Sequence, residues 1–224
     1  MQEAMLHLPV EVSLCAPIRP NQRFLFRALK RFLDVIASGM ALFILSPVFL
    51  LVAIAIKLEE PKGRVFFSQL RVGKNGAPFR LYKFRSMVSG AEAMKSNLLD
   101  QNEMDGPVFK MRDDPRVTKV GKQIRRLSID EIPQFLNVIL GDLSLVGPRP
   151  LPVDEARACD AYQRQRESVK PGLTCTWQIS GRNQIDFSNW MRMDIEYIEK
   201  QSLLVDAVIL FKTAPAVLMA RGAS

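Results

Sequence analysis

Residues 35–56, VIASGMALFILSPVFLLVAIAI, decide the fold of this chain. They run for 22 residues without a charged side chain. About 20 consecutive apolar residues are enough for a helix to cross a hydrocarbon core roughly 30 Å thick. The stretch therefore predicts a helical segment that contacts a membrane.

The flanks of this stretch are basic on both sides. Five lysines and arginines precede it and five follow it, namely Arg19, Arg23, Arg27, Lys30 and Arg31, then Lys57, Lys62, Arg64, Arg71 and Lys74. A single span usually keeps its excess of basic residues on one side of the membrane. Ser46-Pro47 lies near the middle, where proline removes a backbone donor and kinks a helix. Two half-helices bent at this point would return both basic ends to one membrane face, and an ordinary span with a proline kink is the alternative.

Composition narrows the chemistry that the chain can perform. Its 224 residues include 31 lysines and arginines against 23 acids, and the net charge of +8 indicates an anionic partner such as nucleic acid, anionic lipid or a phosphorylated substrate. The single histidine is His7, and the three cysteines are Cys15, Cys159 and Cys175. A disulfide scaffold, a zinc finger and a Ser-His-Asp triad are therefore not expected. Carboxylates, lysines, arginines or a metal on oxygen ligands must carry any catalysis.

The whole chain predicts a mostly helical α+β protein in three parts. Residues 1–26 form a tail, residues 27–58 hold the membrane segment, and residues 59–224 form a domain with interfacial helices. Asn75-Gly76 between two apolar-containing runs predicts a small β-hairpin.

Three helical segments are expected in the domain that follows the hairpin. Residues 124–140 contain a helix that stops at Gly141. Residues 187–198 repeat apolar side chains at helical spacing, which favours packing on the core over lying on lipid. Residues 203–219 are too interrupted for a second span and predict an interfacial or core helix.

One acidic pair stands out in residues 124–150, IRRLSIDEIPQFLNVILGDLSLVGPRP, where Asp130-Glu131 follows two arginines. A purely structural explanation is a capping box formed by Ser128 and Glu131. Pro133 argues against it, because proline is costly at the fifth helical position and harmless in the first turn if Asp130 is the cap. Two carboxylates at the positive end of a helix, beside arginines, would suit a phosphate bridged by a divalent cation. One carboxylate would then attack phosphorus while the other holds Mg²⁺.

Other clusters combine cations with turn residues. They are Lys83-Phe84-Arg85-Ser86, Asp113-Asp114-Pro115-Arg116, Gly147-Pro148-Arg149-Pro150, and Gly181-Arg182-Asn183 after Trp177-Gln178. Each alone is typical of a turn or a solvated face. The aromatic and the arginine of the last cluster would suit a nucleotide, and a buried tryptophan is the simpler explanation. Together the clusters concentrate positive charge in a chain that also enters a membrane.

Several of these pieces occur in an order that resembles a known family. They are Lys30-Arg31-x-x-Asp34, the apolar run with Ser46-Pro47, Arg71-x-Gly73-x-x-Gly76, Lys83-Phe84-Arg85-Ser86-Met87, Asp114-Pro115-Arg116, Asp130-Glu131-x-Pro133-Gln134 and Gly147-Pro148-Arg149-Pro150. The order is similar to that of the bacterial sugar transferases, and in particular of the monotopic polyprenyl-phosphate phosphoglycosyl transferases that start exopolysaccharide repeat units. The resemblance runs from about Arg27 to the C-terminus.

The resemblance implies a reaction. A sugar 1-phosphate would move from a UDP-sugar to undecaprenyl phosphate with release of UMP, through a covalent phosphosugar-aspartate intermediate. Asp130 would be the nucleophile and Glu131 would position Mg²⁺, so that both are candidate metal ligands. The candidate phosphate and nucleotide ligands are Arg125, Lys83, Arg85, Arg149 and Arg182.

The resemblance also implies a location. A re-entrant helix broken at Ser46-Pro47 would make the protein monotopic and place a cytosolic helical catalytic domain at the cytoplasmic face of the bacterial inner membrane. Lys30 and Arg31 would contact inner-membrane head groups or the lipid phosphate. Cys175 stands where relatives often have glycine, and the extra N-terminal transmembrane helices of longer members are absent, which implies a stand-alone catalytic unit or a shortened chain.

Rival functions make different predictions. A non-enzymatic membrane scaffold would bind membranes in a strongly salt-dependent way and would not turn over nucleotide sugars. Nucleic acid is not an expected partner, because the basic residues are spread over turns and membrane flanks rather than gathered on one face. The sequence leaves open which sugar is transferred, glucose and galactose being the family's commonest choices, and whether the chain forms a homo-oligomer.

Overall fold

A computed structural model describes residues 17–181 and 185–218 of the chain. Its helices are α1 (Phe24–Glu59), α2 (Ala91–Met94), α3 (Lys119–Arg126), α4 (Gln134–Leu140), α5 (Val153–Arg157), α6 (Ala161–Arg164), α7 (Thr176–Ile179), α8 (Phe187–Lys200) and α9 (Leu203–Leu218). Its strands are β1 (Phe66–Val72), β2 (Pro78–Phe84), β3 (Ser144–Val146) and β4 (Gly172–Thr174), and short 3-10 turns cover Lys74–Gly76, Lys95–Gln101, Ile129–Glu131 and Gln165–Ser168. The predicted mostly helical α+β class is confirmed.

The apolar stretch lies inside α1, a helix of 36 residues. In the part of the chain that the structure describes, α1 alone is long and apolar enough to cross a membrane by length and composition. Large apolar side chains point outward along it, among them Phe24 (86% exposed) and Phe43 (82% exposed). This exposed apolar surface is consistent with membrane association.

Pro47 lies within α1 without ending it. Proline has no N–H to donate to the carbonyl four residues earlier, which is that of Phe43. The Ser46 hydroxyl donates to the Phe43 carbonyl at 2.8 Å and so satisfies the acceptor that Pro47 leaves free. The predicted interruption of the helix at Ser46-Pro47 is therefore not confirmed, and re-entry into the membrane stays a prediction.

Both ends of α1 are attached to the rest of the protein. Near its start, the Asp34 carboxylate accepts hydrogen bonds from the Ser144 hydroxyl at 2.8 Å and the Leu145 N–H at 3.2 Å. Near its end, Val52 and Ile56 are buried in a cluster with Phe84, Ile124 and Ile132. The polar contact and the apolar cluster fix α1 against the domain at two points.

The predicted hairpin is confirmed. Strands β1 and β2 pair antiparallel from Phe66 opposite Phe84 to Val72 opposite Pro78. The turn between them holds Asn75 and Gly76 at φ values of 57° and 77°, the left-handed conformation that Asn-Gly favours. The hairpin brings Lys83 and Arg85 to the end of the sheet nearest the C-terminal half of α1.

A second pair of strands was not expected from the sequence. Strand β3 runs parallel to β4, with Ser144 opposite Gly172 and Val146 opposite Thr174. At the end of this pair the backbone of Gly147 approaches Gly172 so closely that a Cβ on Gly172 would clash with the Gly147 nitrogen. Only glycine fits there, and the close approach fixes the loop that carries Arg149.

The helices pack as the sequence predicts. The apolar repeat of residues 187–198 forms the buried face of α8, so this helix packs on the core. In α9, Ile209 is buried while Leu204 and Phe211 are 75% and 82% exposed, so one face joins the core and the other points outward. The helix within residues 124–140 ends at Gly141, whose φ is 98°.

Candidate active site

Asp130 and Glu131 lie in a 3-10 turn between α3 and α4. Ser128, at a φ of 54°, separates this turn from α3 and its side chain caps nothing. Pro133 is the cap residue of α4, which starts only at Gln134. Both predicted helix starts, at Ser128 and at Asp130, are therefore wrong, and the acidic pair does not owe its position to the dipole of a long helix.

The acidic pair faces two cations from distant parts of the chain. The Lys83 ammonium at the end of β2 lies 2.8 Å from Glu131 Oε1 and 3.6 Å from Asp130 Oδ2. The Arg149 guanidinium lies 3.0 Å from the same Glu131 oxygen. The structure thus brings together four predicted site residues, Lys83, Asp130, Glu131 and Arg149.

Burial and neighbouring charges shift the pKa values of the two carboxyls in opposite directions. Burial raises the pKa of Asp130 and the charge of Glu131 raises it further, against the opposing effect of Lys83. Burial also disfavours the charge of Glu131, but Lys83 and Arg149 outweigh it and hold the pKa of Glu131 well below its usual range. Glu131 therefore favours its ionised form and pairs with two cations, whereas Asp130 is 6% exposed and has only the longer contact with Lys83.

The pair opens onto a cleft with a cationic wall. One cavity of about 540 Å³ is lined by Asp130, Lys83 and Arg125, and an adjoining cavity of about 240 Å³ is lined by Lys83, Arg125 and Arg149. Within the described ranges, no salt bridge engages Arg125. Its guanidinium is half-buried at the end of α3 and available to an anion in the cleft.

Other predicted site residues have partners within the protein. The Arg85 guanidinium lies 2.8 Å from the Glu60 carboxylate at the end of α1. Lys30 donates to the Val146 carbonyl at 3.1 Å and pairs with Asp206, and Arg31 donates to the carbonyls of the last turn of α4. The predicted lipid contacts of Lys30 and Arg31 and the nucleotide contact of Arg85 stay predictions. Arg182 lies outside the described residues.

Two further features of the cleft were not assigned from the sequence. Arg71 donates to the Pro150 carbonyl at 3.0 Å, and burial together with the charge of Arg149 lowers its pKa to about 10. Glu155, 7% exposed, lines the same cavities, and burial raises its pKa. Arg71 belongs to a motif noted in the sequence, whereas nothing in the sequence marks Glu155.

A buried ion pair supports the Arg149 loop from behind. Arg166 pairs with Asp194 of α8, with a distance of 3.0 Å from Nε to the carboxylate, and also donates to the Arg149 carbonyl at 2.6 Å. Its guanidinium stacks 5.6 Å from the Trp190 ring, which in turn stacks on Trp177 at 4.6 Å. Arg166 and Asp194 therefore position Arg149, and no local sequence signal identifies them.

The donor set can be tested against the predicted Mg²⁺. No group of three or more metal-binding side chains occurs among the described residues. Mg²⁺ is usually held in proteins by one or two carboxylates, with substrate phosphates and waters as the other ligands. Asp130 and Glu131 supply two carboxylates next to each other in the sequence, which is the number that such an ion takes, and Mg²⁺ at this place stays a prediction.

Comparison with known proteins identifies the family of the chain. Residues 25–220 match the model of a family described as bacterial sugar transferase. The chain is 48% identical over 197 residues to galactosyl transferase CpsE of Streptococcus agalactiae, covering 87% of this chain and 43% of that protein. It is 42% identical to exopolysaccharide production protein ExoY of Sinorhizobium fredii, covering 86% of this chain and 87% of that protein.

A third relative carries a more detailed name. The undecaprenyl-phosphate galactose phosphotransferase of Salmonella typhimurium is 42% identical over 205 residues, covering 88% of this chain and 42% of that protein. The chain thus spans less than half the length of two of these three relatives and most of the other. The predicted resemblance is confirmed, and the chain belongs to the bacterial sugar transferase family.

Proposed function

We propose that the protein transfers a sugar 1-phosphate from a UDP-sugar to undecaprenyl phosphate, giving undecaprenyl-diphosphate-sugar and UMP, as the first membrane step of exopolysaccharide or related glycoconjugate synthesis. The observation that carries the proposal is Asp130, a buried carboxylate facing a cationic cleft. The name of the Salmonella relative supports the lipid acceptor and the class of reaction.

In this proposal Asp130 is the nucleophile of the first step. A carboxylate oxygen of Asp130 forms a bond to the β-phosphorus of the UDP-sugar, and the bond from that phosphorus to the bridging oxygen breaks. UMP leaves with the electron pair. In the second step a phosphate oxygen of undecaprenyl phosphate attacks the phosphosugar-aspartate and releases the Asp130 carboxylate.

The cations of the cleft offset the repulsion between an anionic nucleophile and a diphosphate. Arg125 has no competing ion pair in the described structure and is the first candidate to contact the β-phosphate. Lys83 lies between the acidic pair and the cleft, where it restrains the Asp130 carboxylate and attracts the donor. Arg149 and the undescribed Arg182 would contact the nucleotide.

Asp130 and Glu131 are the residues that would hold Mg²⁺ in this proposal. When bound, the ion would neutralise the charge that develops on the transferring and leaving phosphates. Because Glu131 keeps its charge through Lys83 and Arg149, it offers an ionised ligand over the whole physiological pH range.

We also propose that α1 re-enters the membrane rather than spanning it, which would keep the domain at the cytoplasmic face of the inner membrane. Arg31 and Ile56 are 25 positions apart, about 37 Å in a straight helix. Arg31 nevertheless bonds the carbonyls of Val138 and Ile139, while Ile56 packs in a cluster with Ile132 and Phe135. Contacts of both halves with one short stretch support a bend near Pro47.

A labelling experiment tests the bend. Single cysteines at Arg23 and Lys62, in a chain whose native cysteines are replaced, are expected to react with an impermeant thiol reagent from the same side of inverted vesicles. Labelling of the two positions from opposite sides would contradict re-entry.

UMP release tests the reaction. Wild-type protein in nanodiscs is incubated with each of a panel of UDP-sugars, with and without undecaprenyl phosphate, and with EDTA followed by Mg²⁺. We expect multiple turnovers only with the lipid, loss in EDTA and recovery with Mg²⁺, and the donor that turns over identifies the sugar. If EDTA does not change turnover, the reaction does not need the metal and that part of the proposal is wrong. If no donor gives UMP release, the non-enzymatic scaffold is favoured.

A further inference from the structure

A separate cavity lies at the N-terminal end of α1. Its volume is about 750 Å³, and the tail before α1, the first turns of α1, the hairpin turn and the segment before β4 enclose it. None of its lining residues also lines the cleft beside Asp130. We call it the basic cavity.

Positive charge dominates the basic cavity. The cations that line it are Arg27, Lys30, Arg31, Lys74 and Lys170, and Asp34 is the one carboxylate among the described lining residues. Asp34 is engaged by Ser144 and Leu145, and Lys30 pairs with Asp206 outside the lining. Four cations therefore share the cavity without a carboxylate partner of their own.

Two of these cations lie together at one helix end, which is more positive charge than the capping of that end requires. Arg31 and Lys170 each lie 3.5 Å from the point that a Cβ on Gly141 would occupy, at the C-terminal end of α4. Arg31 already donates to the last carbonyls of α4, the favourable place for a cation. Partial desolvation lowers the pKa of Lys170, and Arg31 and Lys74 lower it further, partly offset by Asp34 and Asp142. The cations therefore repel one another, and the nearby carboxylates offset this repulsion only in part.

Two other observations indicate the kind of anion. Ser168 lines the cavity, and its hydroxyl is buried in the cavity wall without a hydrogen-bond partner in the described structure. Phe24 lines the cavity and is 86% exposed, and Leu25 next to it is 68% exposed. A phosphate between cations with an apolar chain beside it matches a phospholipid at the membrane surface.

We propose that the basic cavity binds the phosphate of an anionic glycerophospholipid and so holds the N-terminal end of α1 at the membrane surface. Lys74, Lys170 and Arg27 contact the phosphate, and the acyl chains lie along Phe24. The site is independent of the sugar-phosphate transfer proposed above, because it shares no residue with the cleft at Asp130.

Vesicle flotation tests the site with a charge-matched control. The full chain is mixed with phosphatidylcholine vesicles that contain either no anionic lipid or roughly one third phosphatidylglycerol. The test variant is Lys74→Gln/Lys170→Gln. The control is Arg157→Gln/Arg192→Gln, which removes two exposed cations on α5 and α8. Both variants lose the same net charge, and thermal unfolding verifies that each remains folded.

We expect the test variant, and not the control, to lose affinity for the anionic vesicles. Its affinity for phosphatidylglycerol vesicles should fall on the order of tenfold, while the control changes less than twofold and binding to neutral vesicles is the same for all three proteins. The single variant Lys170→Gln, at an exposed position, should show a smaller fall in the same direction. Equal loss in the two double variants would show general charge attraction and overturn the site.

Soluble glycerol 3-phosphate separates the two sources of a phosphate. At millimolar concentration it should displace the wild-type protein from anionic vesicles only weakly, because it has no acyl chain to contact Phe24. If glycerol 3-phosphate binds the wild-type protein as tightly as the vesicles do, the ligand is a free phosphate and the lipid proposal fails.

Discussion

Two regions of the protein bury charged side chains: the anchor cluster, which holds α1, and the candidate active site beside the end of β2. They differ in how fully each buried charge is compensated by a partner. In the anchor cluster, Lys30 pairs with Asp206, and Asp34 accepts hydrogen bonds from Ser144 and Leu145. In the candidate active site, Glu131 takes both Lys83 and Arg149 while its neighbour Asp130 keeps a raised pKa. Each carboxylate of the anchor cluster has its own partners, whereas Asp130 shares Lys83 with Glu131 and is the less compensated carboxylate of the candidate active site.

The largest expected effect is the loss of activity in Asp130→Asn. Without a carboxylate nucleophile, UMP release should fall on the order of a thousandfold or more. The free energy of unfolding should not fall, because the substitution removes a buried charge that its surroundings disfavour. Initial rates and thermal unfolding measure the two effects.

The control for that experiment is Asp100→Asn, an exposed carboxylate in the 3-10 turn Lys95–Gln101 that lines neither cavity of the cleft. It should keep wild-type rates. If Asp130→Asn retains full activity, Asp130 is not the nucleophile.

The next effect concerns the anchor cluster. Asp34→Ala should destabilise the protein by about 2 to 3 kcal/mol, because it strands the buried Ser144 hydroxyl and the Leu145 N–H. UMP release per folded molecule should change far less than in Asp130→Asn. An unchanged midpoint of thermal unfolding would show that the anchor is not needed for stability.

The smallest effect is a shift in pH dependence. Asp130 must be ionised to attack, so kcat/KM should fall as the pH drops through the raised pKa of Asp130, at a higher pH than for an ordinary aspartate. Lys83 opposes that raise, so Lys83→Gln should move the acid limb to still higher pH. The exposed Lys200→Gln is the control, and identical acid limbs in all three proteins would contradict the assignment.

The sequence predicted those parts of the fold that local signals determine. The long uncharged run predicted α1, Asn75-Gly76 predicted the hairpin, and Gly141 predicted the end of α4. The pairing of β3 with β4 was missed because two strands of three residues, joined across a long segment, have no local pattern of their own.

The sequence predicted which residues form the candidate site but not how they are arranged. Asp130, Glu131, Lys83 and Arg149 do meet, but capping rules placed the acids on a helix start when they lie in a 3-10 turn. Arg85 was grouped with Lys83 because the two are close in sequence. Arg85 follows the last residue of β2 and lines the same cavity as Lys83, but its guanidinium pairs with Glu60 at the end of α1.

The most direct test of the central claim is UMP release in the absence of undecaprenyl phosphate. A nucleophilic Asp130 predicts a burst of one UMP per enzyme from the turned-over UDP-sugar, a mass increase of one sugar phosphate on the peptide that carries Asp130, and neither signal in Asp130→Asn. No UMP until the lipid is added, with no adduct on the protein, would show direct transfer between the substrates and contradict the account.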